Sequence, residues 1–166
     1  FANFAVANPD DVVLLIDTHD TEAAARKVVE LAPRLKPQGI RIRGVRLDSG
    51  DLAGHARQVR RILDEGGLSD TTIIASGNLD EHQIAQLLAD GAPIDGFGVG
   101  TALDTSSDAP MLDAVYKLQA YAGVARRKRS EGKATWPGAK QVWRRYDDRG
   151  RFAGDHVGLL GEAVAG

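Results

Sequence analysis

A chain of 166 residues can enclose one domain with a genuine core. Its 43% hydrophobic and 27% charged content is that of a soluble globular protein. No apolar run approaches the ~18 residues of a membrane span, and the lack of cysteine excludes disulfides, thiolate zinc sites and a cysteine nucleophile. The net charge of −2 conceals an asymmetry: residues 1–113 carry 18 acidic against 10 basic side chains, and residues 114–166 carry 5 against 11. Such a division implies two regions with different roles, or two halves that face each other. The composition changes near Pro110, so residues 1–112 and 113–166 are read as separate domains. No secretory leader is visible, which makes the cytoplasm the expected location. The opening at Phe1, with Met111 as the only methionine, reads as a piece of a longer protein.

Taken in order, "DVVLLID" (11–17) reads as a strand buried on both faces. A helix follows, with Ala24, Val28, Leu31, Ala32 and Leu35 on one face, Thr21 as its N-cap and Pro37-Gln38-Gly39 as its stop. "IRIRGVRLD" (40–48) is the second strand, and the helix from Asp51 to Glu65 buries Leu52, Ala56, Val59 and Leu63 before Gly66-Gly67 end it. "TTIIAS" (71–76) is the third strand. The helix after it begins with Asn78 and Glu81 at capping-box spacing. "IDGFGVGT" (94–101) is a fourth strand, rich in glycine. Strand–helix alternation with short connections predicts a parallel sheet covered by helices. Beyond Pro110 the pattern becomes extended and antiparallel, with turns at Trp136-Pro137-Gly138 and Asp148-Arg149-Gly150, and predicts a β-rich appendage.

Chemistry in parallel α/β proteins gathers at the carboxyl ends of the strands. The first end offers Asp17, Thr18, His19 and Asp20; the second, Arg46, Asp48, Ser49 and Asp51. The third offers Ser76, Gly77 and Asn78, and the fourth Gly98, Gly100 and Thr101. Turns of small residues let backbone N–H groups approach a phosphate. The carboxylates suit ribose hydroxyls, or a Mg²⁺ ion already bound to phosphates. Together these features describe a site for a phosphorylated sugar. Asp48, after the strand and before the helix, faces the ligand in this reading. Asp51 reads first as an N-cap, and Ser49 stands between the two roles. The glycines of "GFGVGT" permit close packing or a phosphate turn, and the phosphate turn is preferred. His19 lies between Asp17 and Asp20, but a lone loop histidine is more often not a metal ligand. His55, His82 and His156 have no visible partner. "RRKR" (126–129) reads as a solvated face, so no nucleic acid is expected.

The segments "LLIDTHDT" (14–21), "GVRLDSGDL" (44–52), "IIASGNLDE" (73–81) and "GFGVGTAL" (96–103), in that order, resemble nicotinate phosphoribosyltransferase. "VYKL" (115–118) and "PGAKQVWR" (137–144) continue the resemblance over nearly the whole chain. It implies part of an irregular, TIM-like α/β barrel joined to a smaller β-rich domain, in a homodimer. It implies transfer of phosphoribosyl from phosphoribosyl pyrophosphate to nicotinate, giving nicotinate mononucleotide and pyrophosphate, with Mg²⁺ and coupled ATP hydrolysis, in NAD biosynthesis. Carried over by motif, Arg46 and Asp48 contact the ribose–pyrophosphate part, with Asp48 as the catalytic residue and Ser49 beside them. Ser76, Gly77 and Asn78 line the phosphate side, and Gly98, Gly100 and Thr101 cradle the 5′-phosphate. The family's nicotinate pocket and phosphorylated histidine lie upstream of the first segment, and His19 is not that histidine. About four strands are expected where a closed barrel has about eight, leaving two open sheet edges that invite association. The chain by itself is therefore expected to be inactive. Two other readings stand beside this one: a non-catalytic phosphosugar-binding module, and another α/β-barrel enzyme, such as a lyase or isomerase, acting on a phosphorylated sugar.

Overall fold

The computed structural model describes residues 1–108, 111–112 and 114–162, so the composition boundary at Pro110 lies outside the described residues. Two compact units are present: Phe1–Asp113 with Arg129–Lys133, and Ala114–Lys128 with Ala134–Gly166.

In the first unit, helix α1 (Ala2–Ala7) leads into strand β1 (Val12–Leu15) and helix α2 (Thr21–Leu35). Strand β2 (Ile42–Leu47), helix α3 (Leu52–Glu65), strand β3 (Thr72–Ala75) and helix α4 (Glu81–Ala89) follow. Strand β4 is only Gly96–Phe97, and a four-residue helix α5 (Thr101–Asp104) comes after it. The strands form one sheet in the order β1-β2-β3-β4, and every pair is parallel. The predicted alternation is thus a mixed α/β fold around a four-stranded parallel sheet.

Register explains which side of the sheet is buried. Neighbouring partners in a parallel sheet point to the same face. Leu14 pairs with Val45 and Val45 with Ile73, while Leu15 pairs with Arg46 and Arg46 with Ile74. The first row is buried with Val12, Ile16 and Leu47, and packs with Val28, Leu31, Leu35, Ala56, Val59 and Leu63 of α2 and α3 into one core. The second row is not covered: Leu15 is 41% exposed and Arg46 is exposed. A register shift at Val12/Val13 puts both Ile42 and Val45 on the buried face, although they are three apart. Strand β1 is therefore buried on one face rather than two, and α2 and α3 pack against a single face of the sheet. An apolar run as short as "VVLL" does not distinguish the cases, because a half-exposed leucine is ordinary.

The helix ends differ from the sequence reading in a consistent way. Asp20, not Thr21, caps α2 by accepting from Ala23 N at 2.7 Å, and Thr21 is buried as the first helical residue. Asp80, not Asn78, caps α4, accepting from Gln83 N at 2.7 Å, while Leu79 just before it is buried. Each aspartate has a neighbour of similar cap preference, so local sequence does not separate the two. The fourth strand keeps two of its eight predicted residues, because the chain leaves the sheet at Gly98.

The second unit holds two hairpins. Strands β5 (Ala120–Tyr121) and β6 (Val124–Ala125) pair antiparallel across Ala122 and Gly123, both at positive φ, the geometry of a two-residue type I′ turn. Strands β7 (Lys140–Tyr146) and β8 (Phe152–Leu159) pair antiparallel, with the turn closed by Gly150 N donating to Asp147 O at 2.8 Å. Across that hairpin Arg144 forks onto Asp155 at 3.0 and 3.1 Å and lies 5.0 Å above the Phe152 ring. Within residues 114–130, only the four residues of β5 and β6 pair in a sheet.

Candidate functional site

The carboxyl ends of β2, β3 and β4 open on one cavity of about 490 Å³. Arg46, Asp48, Ser76, Gly77, Asn78, Gly98, Gly100 and Thr101 line it together with Lys133. The parallel register brings these ends level, since Ser76 N donates to Leu47 O and Gly98 N to Ala75 O, each at 2.8 Å.

Asp48 is the hub. One carboxylate oxygen accepts from Ser76 Oγ at 2.7 Å and from Arg46 Nη2 at 3.0 Å. The other accepts from Lys133 Nζ at 2.5 Å, and the same ammonium donates to the Asp48 carbonyl at 2.5 Å. Arg46 Nε also donates to Ser76 Oγ at 2.9 Å. Burial works to raise the Asp48 pKa, but the hydrogen bonds from Lys133, Ser76 and Arg46 outweigh it and bring the pKa down to about 2. One carboxylate and two cations leave the cluster net positive at neutral pH, which suits a phosphorylated ligand.

Glycine is required at Gly77. Its φ is +105, and a Cβ there would run into the Asp48 carbonyl. Asn78 follows at φ 53, so two successive left-handed residues turn the chain at the cavity wall. At Gly98 a Cβ would sit 3.2 Å from Ser76 Cβ, so this turn approaches closely for lack of a side chain.

One predicted site residue lies elsewhere. Ser49 is buried and its hydroxyl donates to Asp17 Oδ2, which also accepts from Asp48 N at 3.2 Å. Asp17, itself buried at the end of β1, thereby fastens the loop after β2 from beneath. Asp51 caps α3, accepting from Gly54 N at 3.0 Å. The "DSGD" stretch therefore divides its labour: Asp48 faces the cavity, Ser49 ties down the loop and Asp51 starts the helix.

Two participants were not legible in the sequence. Lys133 reaches Asp48 from 85 residues away, and nothing local marks it. His55, read as partnerless, has Nδ1 2.7 Å from Glu22 Oε1 and Nε2 3.3 Å from Glu131 Oε2. His82 lies 3.9 Å from Glu81 Oε1, and the His156 ring is 5.9 Å from that of Trp143.

Comparison with known proteins gives these residues a context. The chain is 50% identical over 154 residues to a nicotinate phosphoribosyltransferase of Mycobacterium tuberculosis, covering 93% of this chain and 33% of that protein. It is 42% identical over 164 residues to the nicotinate phosphoribosyltransferase of Bacillus subtilis, again covering 93% and 33%. This chain is a homologue of the nicotinate phosphoribosyltransferases. It spans about a third of the length of the curated nicotinate phosphoribosyltransferases it matches. The crystal structure of human nicotinic acid phosphoribosyltransferase aligns with 99% of the chain, at a TM-score of 0.53 and 28% identity, using 31% of that structure. No protein-family model matches the chain. Among the described residues no helix is long and apolar enough to cross a membrane.

Proposed function

We propose that this chain supplies the phosphoribosyl-binding strand ends of a nicotinate phosphoribosyltransferase. The reaction transfers phosphoribosyl from phosphoribosyl pyrophosphate to nicotinate, giving nicotinate mononucleotide and pyrophosphate with coupled ATP hydrolysis, on the way to NAD. One observation carries the reading. Eight of the nine site residues that the family resemblance implies line a single cavity, and a second cation joins them there.

In this reading the ionised Asp48 orients the ribose hydroxyls and offsets positive charge that develops on the sugar as pyrophosphate leaves C1. Lys133 and Arg46, held within 3.0 Å of Asp48, supply positive charge for the departing pyrophosphate. The turns at Gly77-Asn78 and Gly98–Thr101 present backbone to the remaining phosphate. No group of three acidic or histidine side chains that could hold a metal exists among the described residues. Asp48 is already engaged by Lys133, Arg46 and Ser76. The described residues therefore do not fit a protein-held Mg²⁺, which in this reading is bound by the ligand's own phosphates. ATP, nicotinate and the homodimer enter through the family resemblance. Four parallel strands with α2 and α3 on one face are consistent with an arc of a TIM-like barrel.

Calorimetric titration of Mg²⁺–phosphoribosyl pyrophosphate into the chain and into its Asp48→Asn variant tests the assignment. The variant is expected to bind on the order of tenfold more weakly, the worth of one hydrogen bond to a charged group. A well-folded wild-type chain that does not bind the ligand speaks against the assignment. Nicotinate mononucleotide formation by the chain alone would overturn its restriction to a half-site.

A further inference from the structure

Three segments of the first unit converge on one imidazole. His55 stands in the first turn of α3, with its side chain only 19% exposed, between Glu22 at the start of α2 and Glu131 on the Arg129–Lys133 segment. A neutral imidazole carries one N–H and can satisfy one of these carboxylates; an imidazolium satisfies both. The remaining acidic groups nearby are turned to backbone, Asp20 to Ala23 N and Asp51 to Gly54 N. Among the described residues no lysine or arginine pairs with Glu22 or Glu131. Burial works to lower the His55 pKa, but the hydrogen bonds to Glu22 and Glu131 outweigh it and raise the pKa above its ordinary 6.5.

The surroundings are shaped to allow this contact. At Gly50, with φ +77, a Cβ would lie 2.7 Å from Glu131 Oε2 and 2.8 Å from His55 Nε2. That accounts for the glycine in "DSGD". Glu131 is two residues from Lys133 inside a tight turn, in which Lys133 N donates to the carbonyl of buried Ser130 at 3.0 Å. A displacement of Glu131 therefore moves the lysine that grips Asp48.

Resting on the phosphosugar reading of the neighbouring cavity, we propose that His55 is a positioning residue. Its imidazolium, clamped by Glu22 and Glu131, latches the Arg129–Lys133 segment and holds the Lys133 ammonium in the cavity. Loss of the His55 proton leaves a lone pair facing one carboxylate, frees the segment and weakens phosphate binding. The shorter contact, to Glu22 at 2.7 Å, keeps the remaining proton, so Glu131 is the partner released.

The test is calorimetric titration of inorganic pyrophosphate between about pH 5 and about pH 9, across the range where histidine titrates. Wild type, Glu131→Gln and Lys133→Met are compared, with the His55 ring and Lys133 Cε followed by NMR over the same range. Ionisation of pyrophosphate is common to all three proteins and cancels in their affinity ratios. Wild type is expected to bind on the order of tenfold more tightly than Glu131→Gln at the acid end, the worth of one charge-assisted contact. That ratio should fall towards unity through the His55 midpoint, with the Lys133 signal following the same midpoint. A constant ratio, or a Lys133 signal indifferent to His55, overturns the latch. Absence of pyrophosphate binding in every form at every pH overturns the phosphosugar reading and the affinity effect with it. The NMR titration then decides separately whether His55 holds Lys133.

Discussion

The side chains around Asp48 work in opposed pairs. Arg46 and Lys133 draw its carboxylate towards the cavity, while Asp17 and Ser49 hold the same loop from the buried side. Ser49 lies between two carboxylates, a position in the sequence equally open to a ligand role and a structural one. Its orientation is decided by Asp17, whose Oδ2 accepts both the Ser49 hydroxyl and the Asp48 amide. Asp17 Oδ1 is buried with no partner among the described residues, so this carboxylate depends heavily on the donors it has. Ser49→Ala is expected to destabilise the chain by about 1–3 kcal/mol, the range for an interrupted buried hydrogen bond to a charged group. Urea denaturation near neutral pH measures it, and an unchanged midpoint would remove Ser49 from this structural role.

At the scale of elements, the sheet is asymmetric. The row of Leu14, Val45 and Ile73 is buried, while the row of Leu15, Arg46 and Ile74 is more open. Arg46 belongs to this open row, which is why its guanidinium is free to reach over the strand ends to Ser76 and Asp48. Burial on one face makes a direct prediction for two adjacent leucines. Leu14→Ser should cost about 3 kcal/mol or more, as for deletion of a core aliphatic chain with a hydroxyl left behind. Leu15→Ser should cost about 1 kcal/mol or less, since much of that side chain is already in water. Denaturant midpoints of the two variants check it; equal losses would mean that both faces are covered in solution.

For the molecule as a whole, the two perturbed groups place opposite limits on stability. The folded-state pKa of Asp48 is lowered from 3.8 to about 2, so its contribution is present above 3.8 and is lost as pH falls through about 2. A shift of that size corresponds to about 2 kcal/mol. The folded-state pKa of His55 is raised, so its contribution is complete below 6.5 and is lost as pH rises through the raised value. Stability should therefore be highest in mildly acidic solution. The gap between wild type and Asp48→Asn should hold above about pH 5 and narrow progressively from there to about pH 1. On the alkaline side the wild type should lose stability that a His55→Gln variant never had. Denaturant unfolding at a series of pH values checks both limbs; a His55→Gln profile parallel to wild type through the alkaline range would contradict the second.

The order of strands and helices, the ends at which chemistry gathers, and most of the cavity lining follow from sequence alone. Periodicity, glycine turns and carboxylates at strand ends are local signals, each contained in about ten residues. Gly77 is such a case, since its left-handed turn belongs to the strand end that carries it. Lys133 and the partners of His55 are different, because contacts across 85, 33 and 76 residues leave no local periodicity to read. The choice between Asp80 and Asn78 as a cap, and the side of the sheet left open, were likewise settled by packing. Local sequence restricts which elements form and where they turn. Only the assembled tertiary structure decides which side chains those elements bring within reach of one another, because register and burial are properties of neighbours rather than of a single segment.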